Sequence, residues 1–173
     1  MSRSGAINPV PRPVPSDAAL PSSSETEEID FEVIELLFFA YRDFTSDPDA
    51  ILDTSGFGRA HHRVVHFVNR EPGLTVAALL ETLKITKQSL ARVLKQLIDS
   101  GYITQVAGPE DRRQRRLYPT ERGRELALAL ARPQSRRIAN AFQGMDENGR
   151  AVVKAFLSGM INPARTDASD KTG

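Results

Sequence analysis

Five side chains that can donate hydrogen bonds share one side of a helix predicted over residues 87–100. They are Lys87, Gln88, Ser89, Arg92 and Lys95. The other side carries an apolar stripe at helical spacing, formed by Leu90, Val93, Leu94, Leu97 and Ile98. One face of this helix is therefore expected to pack against a core, while the other is free to contact a ligand or solvent.

A second group of donors follows in a loop that also contains glycine and proline. Arg112, Arg113 and Arg115 lie there beside Asp111, between two short β-compatible runs at 102–106 and 115–118. Between residues 84 and 124, ten lysines and arginines oppose four acids, an excess of six. Because the whole chain carries +1, the remainder carries −5. This asymmetry is typical of a polyanion-binding patch, and from charge alone a solvated basic face is the alternative.

The donor types suit DNA, with phosphate contacts for position and base contacts for specificity. Gln88 can pair bidentately with adenine, Arg92 with guanine or a phosphate, and Lys87 with either acceptor. Ser89 and the helix start at Thr75 suit phosphates, while Lys95 is the weaker candidate. For each residue the alternative is an exposed side chain that contacts only water.

The elements that position these residues are predicted from caps and periodicity. Thr75 caps a helix at 76–83, Thr86 caps the helix at 87–100, and Gly101 ends it. Two helices joined by about three residues, the second one basic, form a helix-turn-helix.

The strands and arginine loop predict a wing, a β-hairpin with Thr120 capping the helix beyond it. Further helices are expected at 57–70 and about 147–160, and Pro133 should kink or break the helix after Thr120.

An early helix at 29–44 has more apolar surface than one contact can cover. Ile34, Leu37, Phe38 and Tyr41 form one stripe, and further apolar residues surround it. Either a second subunit covers this helix or it is central to the core of its own domain. The last helix has core spacing at Val153, Phe156, Leu157 and Met160.

Several classes of function find no support. The chain has no cysteine, which excludes disulfides, thiolate zinc sites and internal thiol sensing. No nucleophile motif or phosphate-cradling loop is present, so an enzyme and a cofactor are not expected. Two of the three histidines, His62 and His66, share a helix face with His61 nearby, but two imidazoles without a third ligand make a poor metal site. Lining of a polar interface or ligand pocket, or ordinary partial burial, are the remaining interpretations.

No apolar run is long enough to span a bilayer and no secretory signal is seen, so the cytoplasm and its nucleoid are the expected location. Proline- and serine-rich residues 1–28 and residues 163–173 are expected to be disordered tails. The expected domains are a dimerisation helix and connection at 29–56, a DNA-binding domain at 57–120, and C-terminal dimerisation helices at 121–162.

The chain resembles the MarR family of bacterial transcriptional regulators. The helix pair LTVAALLETLKITKQSLARVLKQLIDSGYI carries one part of the likeness. The run from Asp111-Arg112-Arg113 to Leu117 and Thr120 carries the other, and the specific part covers about residues 57–126. Pro119 and Pro133 depart from the family pattern.

The resemblance implies a mainly α fold with a two- or three-stranded β wing, a winged helix-turn-helix joined to a helical dimerisation region. It implies a homodimer built from the first and last helices, bound to double-stranded DNA at a pseudo-palindromic operator. Helix 87–100 would enter the major groove, Asp111 would orient an arginine, and Arg113 would enter the minor groove. A small-molecule effector is left open, since no pocket maps residue by residue. The alternative is a winged helix that binds a protein partner or binds DNA without sequence preference.

Overall fold

The computed structural model of the protein describes residues 29–109 and 111–162. Six helices and two strands occur in these residues: α1 (Phe31–Asp53), α2 (Arg59–Arg70), α3 (Val76–Leu83), α4 (Lys87–Asp99), β1 (Ile103–Ala107), β2 (Arg115–Pro119), α5 (Glu121–Ala141) and α6 (Glu147–Gly159). The mainly helical fold with a small sheet is the one predicted. Within the described residues, no helix is both long enough and apolar enough to cross a bilayer. The predicted tails at 1–28 and 163–173 lie outside the described residues.

Threonine caps set the starts of three helices, as predicted. Thr75, Thr86 and Thr120 each accept a hydrogen bond from the backbone amide three residues later, at 3.1, 3.2 and 3.0 Å. Each bond satisfies an amide that the first turn leaves without a helical partner. Gly101 follows the end of α4 with φ +74°, a left-handed conformation that glycine adopts without a steric penalty.

The wing consists of β1, β2 and the loop between them. The strands pair antiparallel from Ile103 opposite Pro119 to Ala107 opposite Arg115. A single further bridge joins Thr75 to Arg116, so the segment before α3 lies along the free edge of β2. Pro119, which departs from the family pattern, does not shorten the hairpin, because it occupies the last paired position of β2.

The core lies between α2, α3, α4 and the inner face of the hairpin. Its fully buried members include Val64 and Val65 of α2, Leu79 of α3, Leu97 of α4 and Leu117 of β2. The apolar stripe predicted for α4 is buried at Leu90, Val93, Leu94 and Leu97. Burying one stripe fixes which face of α4 remains outside.

The first helix is longer than the predicted segment 29–44, because α1 continues to Asp53 through Pro48. A proline in a helix interior leaves the carbonyl four residues earlier without its amide. That carbonyl belongs to Phe44, and Gln134 of α5 donates its side-chain Nε2–H to it at 3.3 Å. Pro48 and Leu52 are buried. Their packing and the hydrogen bond donated by Gln134 therefore keep the helix continuous.

Two other boundaries differ from the sequence-based expectation. The second helix starts at Arg59 rather than at residue 57, because Phe57 packs into the core and Gly58 forms an extended cap. Pro133 does not break its helix, because α5 runs continuously from Glu121 to Ala141, and the predicted kink stays a prediction. Leu130 is buried just before this proline, so packing offsets the roughly 3 kcal/mol that an interior proline costs.

Candidate nucleic-acid interface

The exposed side of α4 presents the donors predicted from the sequence. Lys87, Gln88, Ser89 and Arg92, together called the reading face, are all exposed. The hydroxyl of Thr86 donates to Ser89 Oγ at 2.9 Å, which leaves the Ser89 hydroxyl hydrogen available. The first two turns of α4 therefore offer several unsatisfied donors in a row.

Lys95 differs from the reading face in its contacts. It is exposed, but its Nζ pairs with Asp99 of the same helix at 2.5 Å. An exposed i,i+4 pair of this kind contributes little to stability, yet it offsets the lysine charge locally. A Lys95 side chain that stays in solvent therefore fits the structure better than one that contacts a base.

The turn between α3 and α4 is held by contacts from outside it. Lys84 has φ +51°, the left-handed conformation that ends α3. Arg63 of α2 donates its Nη2–H to the carbonyl of Leu83 at 2.8 Å, which satisfies one of the free carbonyls of α3. Sequence reasoning missed Arg63, because nothing in the local pattern of α2 points to a carbonyl at the end of the next helix, 20 residues away.

The wing loop keeps its charged side chains in solvent. Asp111, Arg112, Arg113 and Arg115 are exposed, and within the described residues no ion pair includes any of them. Asp111 Oδ1 accepts a hydrogen bond from the backbone amide of Arg113 at 2.8 Å. The carboxylate therefore orients the main chain of Arg113. Among the described residues, no side chain pairs with the Arg113 guanidinium.

At the other end of α4, Arg122 forms two contacts that the sequence did not indicate. Its Nη1–H donates to the carbonyl of Ser100 at 3.0 Å, and its guanidinium lies 4.5 Å from the ring centroid of Tyr102. These contacts join α5 to the corner between α4 and β1. Arg122 contributes to the basic count of this region, but its role in the structure is to hold that corner.

The residues assigned to dimerisation lie at the surface of the single chain. Ile34, Phe38 and Tyr41 of α1 are exposed, Phe38 at 69%, and Leu37 is half-buried. In α6, Phe156, Leu157 and Met160 are exposed and Val153 is half-buried. The first half of α1 is thus not central to the core of its own domain, which was one of the two interpretations of its pattern.

The three histidines of α2 have different surroundings. His61 is buried, while His62 is half-buried and His66 exposed. Removal of water lowers the pKa of His62; His66 lowers it further and Asp49 opposes the change. In the described part of the chain, no three His, Cys, Asp or Glu side chains come together as metal ligands.

An open cleft of about 590 Å³ lies between α1 and α5. Its apolar lining includes Ala50, Ile51 and Ala129, and Arg132 and Arg136 add cationic groups. Asp47 also lines this cleft, so its polar lining carries charges of both signs.

Comparison with known proteins agrees with this geometry. A sequence model of the MarR family matches residues 55–114, the segment that contains the helix-turn-helix and most of the wing. The HTH-type transcriptional regulator PetP of Rhodobacter capsulatus is 48% identical over 131 residues, covering 76% of this chain and 79% of the relative.

Solved structures show the same fold. Streptococcus pneumoniae FabT in complex with DNA matches with a TM-score of 0.65 at 20% identity, covering 75% of this chain and 92% of FabT. The transcriptional regulator SlyA matches with a TM-score of 0.62 at 20% identity, covering 80% of this chain and 95% of SlyA.

Proposed function

This chain belongs to the MarR family of transcriptional regulators, and from that premise we propose that it binds a pseudo-palindromic operator as a homodimer. It is a DNA-binding regulator and not an enzyme. In the proposed complex, α4 enters the major groove and the wing arginines reach the minor groove and the phosphates beside it. The two half-sites lie about one helical turn apart, on the order of 34–36 Å.

The observation that carries this proposal is the division of α4 into a buried and a polar face. Its buried stripe packs on the core, and its N-terminal turns expose Gln88 and Arg92. Residues at the N-terminal end of a recognition helix are the ones that contact base edges. Thr75 and Thr86 cap the two helices of the motif, and the amides at these helix starts suit phosphate contacts.

The wing supports the second contact. Arg112, Arg113 and Arg115 are exposed, and a narrow minor groove has a negative potential that attracts arginine. We assign Arg113 to the groove, because Asp111 fixes its backbone and its side chain is exposed. Arg112 and Arg115 then serve phosphates.

Apolar surface that the single chain leaves exposed supports the proposed dimerisation. The helix α6 has 13 residues and none of them is buried, and a helix of that length is marginal in water when it stands alone. The exposed aromatic residues of α1 need cover as well. A second copy of the chain supplies both, since it brings the same two apolar faces.

We place this regulator at the nucleoid, where its operator would be. We also propose the cleft between α1 and α5 as the position of a small-molecule effector. Both statements rest on the proposed role in transcription.

Arg113→Ala tests the proposal through its salt dependence. The probe is a duplex that the wild-type protein enriches from a randomised pool, and affinity is measured by mobility shift at several salt concentrations. Each phosphate neutralised by the protein releases counterions, so the slope of log affinity against log salt should flatten by about one. The variant should bind all sequences more weakly.

Lys154→Ala is the control, because it removes one exposed charge from α6 and should leave the slope unchanged. Equal slopes for Arg113→Ala and wild type would refute the wing assignment. Random DNA that competes as well as the enriched duplex would indicate an architectural protein, and no shift at all would indicate a protein-binding module.

A further inference from the structure

His61 is a buried polar side chain between α2 and α4. Only 8% of its surface is exposed, and neither the reading face nor the wing uses it. A buried imidazole is costly unless its nitrogens find partners. Both of its ring nitrogens are within hydrogen-bond distance of another residue.

The two partners assign the tautomer of the ring. The backbone amide of Gly58 donates to His61 Nδ1 at 3.1 Å, so Nδ1 accepts. The ring hydrogen of the neutral side chain is then on Nε2, which lies 2.8 Å from Gln96 Oε1. His61 therefore donates to the recognition helix while its other nitrogen caps the start of its own helix.

Aromatic contacts hold the ring plane in this orientation. The His61 ring stacks on Phe57 with centroids 4.6 Å apart and an angle of 13° between the planes. Phe57 in turn meets the edge of Tyr102 at 5.5 Å. The donor on Nε2 thus comes from a ring that cannot turn freely.

The contact with Gln96 differs from the other contacts of α4. The apolar stripe of α4 resists withdrawal from the core, but apolar packing has little directional preference. Hydrogen bonds are directional, and in the part of the chain that the structure describes, His61 to Gln96 is the one side-chain bond from the body of α4 to another helix. Gln96 follows Gln88 and Arg92 at successive i+4 steps, so it lies on the side of the reading face.

We propose that His61 is a positioning residue which sets the rotation of α4 about its axis through Gln96. The inference rests on the proposed function, since it requires α4 to read base edges. A small rotation moves bidentate donors off the bases, while flexible phosphate contacts tolerate it. Loss of the bond should therefore reduce operator binding more than binding to random DNA.

Four variants test this inference: His61→Phe, His61→Gln, Gln96→Leu and the double variant His61→Phe/Gln96→Leu. Phenylalanine keeps the ring stacked on Phe57 but removes both nitrogens. Glutamine places an amide donor near the position of Nε2 and should restore the bond. Gln96→Leu removes the acceptor from an exposed position, so it tests the contact even if the first variant does not fold.

The readout is the ratio of affinities for the enriched duplex and a random duplex at one salt concentration. Loss of one hydrogen bond corresponds to about a fivefold effect. His61→Phe and Gln96→Leu should each lower the ratio by about that factor, the double variant no further, and His61→Gln should stay within about twofold of wild type. His62→Phe is the matched control, being the same exchange one residue along α2, and should leave the ratio unchanged.

An unchanged ratio in His61→Phe and Gln96→Leu would overturn the inference and leave the proposed function standing. Independent, multiplying losses in the double variant would also overturn it, since the two residues would not act through one contact. A wild-type protein that shows no preference for the enriched duplex would overturn the proposed function as well as this inference. The outcomes are thus distinguishable.

Discussion

The imidazoles of α2 illustrate how residues of one type divide between roles. His61 is satisfied inside the fold by Gly58 and Gln96, whereas His62 is half-buried and its pKa is lowered mainly by loss of water. From sequence the i,i+4 spacing of His62 and His66 drew attention to a metal site. The informative residue is His61. Its partner Gln96 lies 35 residues away, beyond the reach of any local pattern.

Lowering of the His62 pKa on folding has a consequence for stability. In the unfolded chain, His62 has the ordinary histidine pKa of about 6.5, so it binds a proton at a higher pH than it does in the folded chain. Above pH about 6.5, His62 is neutral in both states and does not reduce the free energy of unfolding. That free energy falls as the pH drops from about 6.5 toward the pKa of His62 in the folded chain. Urea unfolding between pH 5 and pH 8, at fixed protein concentration, should show a shallower acid loss for His62→Gln than for wild type. Parallel curves would show that another group titrates.

At the scale of elements, the tightest contact is between the start of α5 and the corner after α4. A Cβ on Gly123 would clash with the backbone carbonyl of Tyr102, and backbone cannot move aside as a side-chain tip can. Thr120 reinforces this corner, because its hydroxyl donates to the carbonyl of Gly101 at 2.7 Å. The long helix α5 is thus fixed directly to the end of α4.

Gly123→Ala should destabilise the protein by at least about 2 kcal/mol, since overpacking against rigid backbone forces α5 to shift. Gly58→Ala is the control. Gly58 has an extended backbone and nothing within 4 Å of an added Cβ, so its change should stay within about 1 kcal/mol. Chemical denaturation measures both, and equal losses would mean that the corner yields more easily than its geometry implies.

Element boundaries were predictable where a local signal fixes them. Thr75, Thr86 and Thr120 act through an amide three residues away, so their caps were evident in the sequence. The second half of α1 was not predicted, because Pro48 favours a break and the residue that compensates for it is 86 positions later, at Gln134. Pro133 does not end α5, since burial supplied by other elements overrides its preference for a break.

At the scale of the whole molecule, apolar exposure is concentrated in the parts away from the wing. Phe31, Phe38 and Phe39 of α1 and Phe156 of α6 are all about half or more exposed. Large exposed apolar side chains in such number are typical of an interaction site. The basic region from residue 84 to residue 124 is a separate part of the chain, so the proposed DNA contacts and the proposed subunit contacts use different segments.

Leu157→Glu tests the association surface. A charge at a buried interface is strongly unfavourable, so this variant should sediment as a monomer where the wild type sediments as a dimer. Val106→Glu in the wing is a matched control, because both side chains are 51% exposed in the single chain. The assignment of α6 to the interface would be refuted if the Leu157→Glu variant sedimented as a dimer. It would also be refuted if the wild type sedimented as a monomer.

The bond from Gln134 to the carbonyl of Phe44 makes the regularity of one helix depend on another. A helix with an uninterrupted ladder can form its backbone bonds alone, but α1 gains this bond only after α5 has docked. Pro48 and Leu52 become buried in the same step. The middle of α1 and the second half of α5 are therefore expected to gain and lose protection from hydrogen exchange as one cooperative unit.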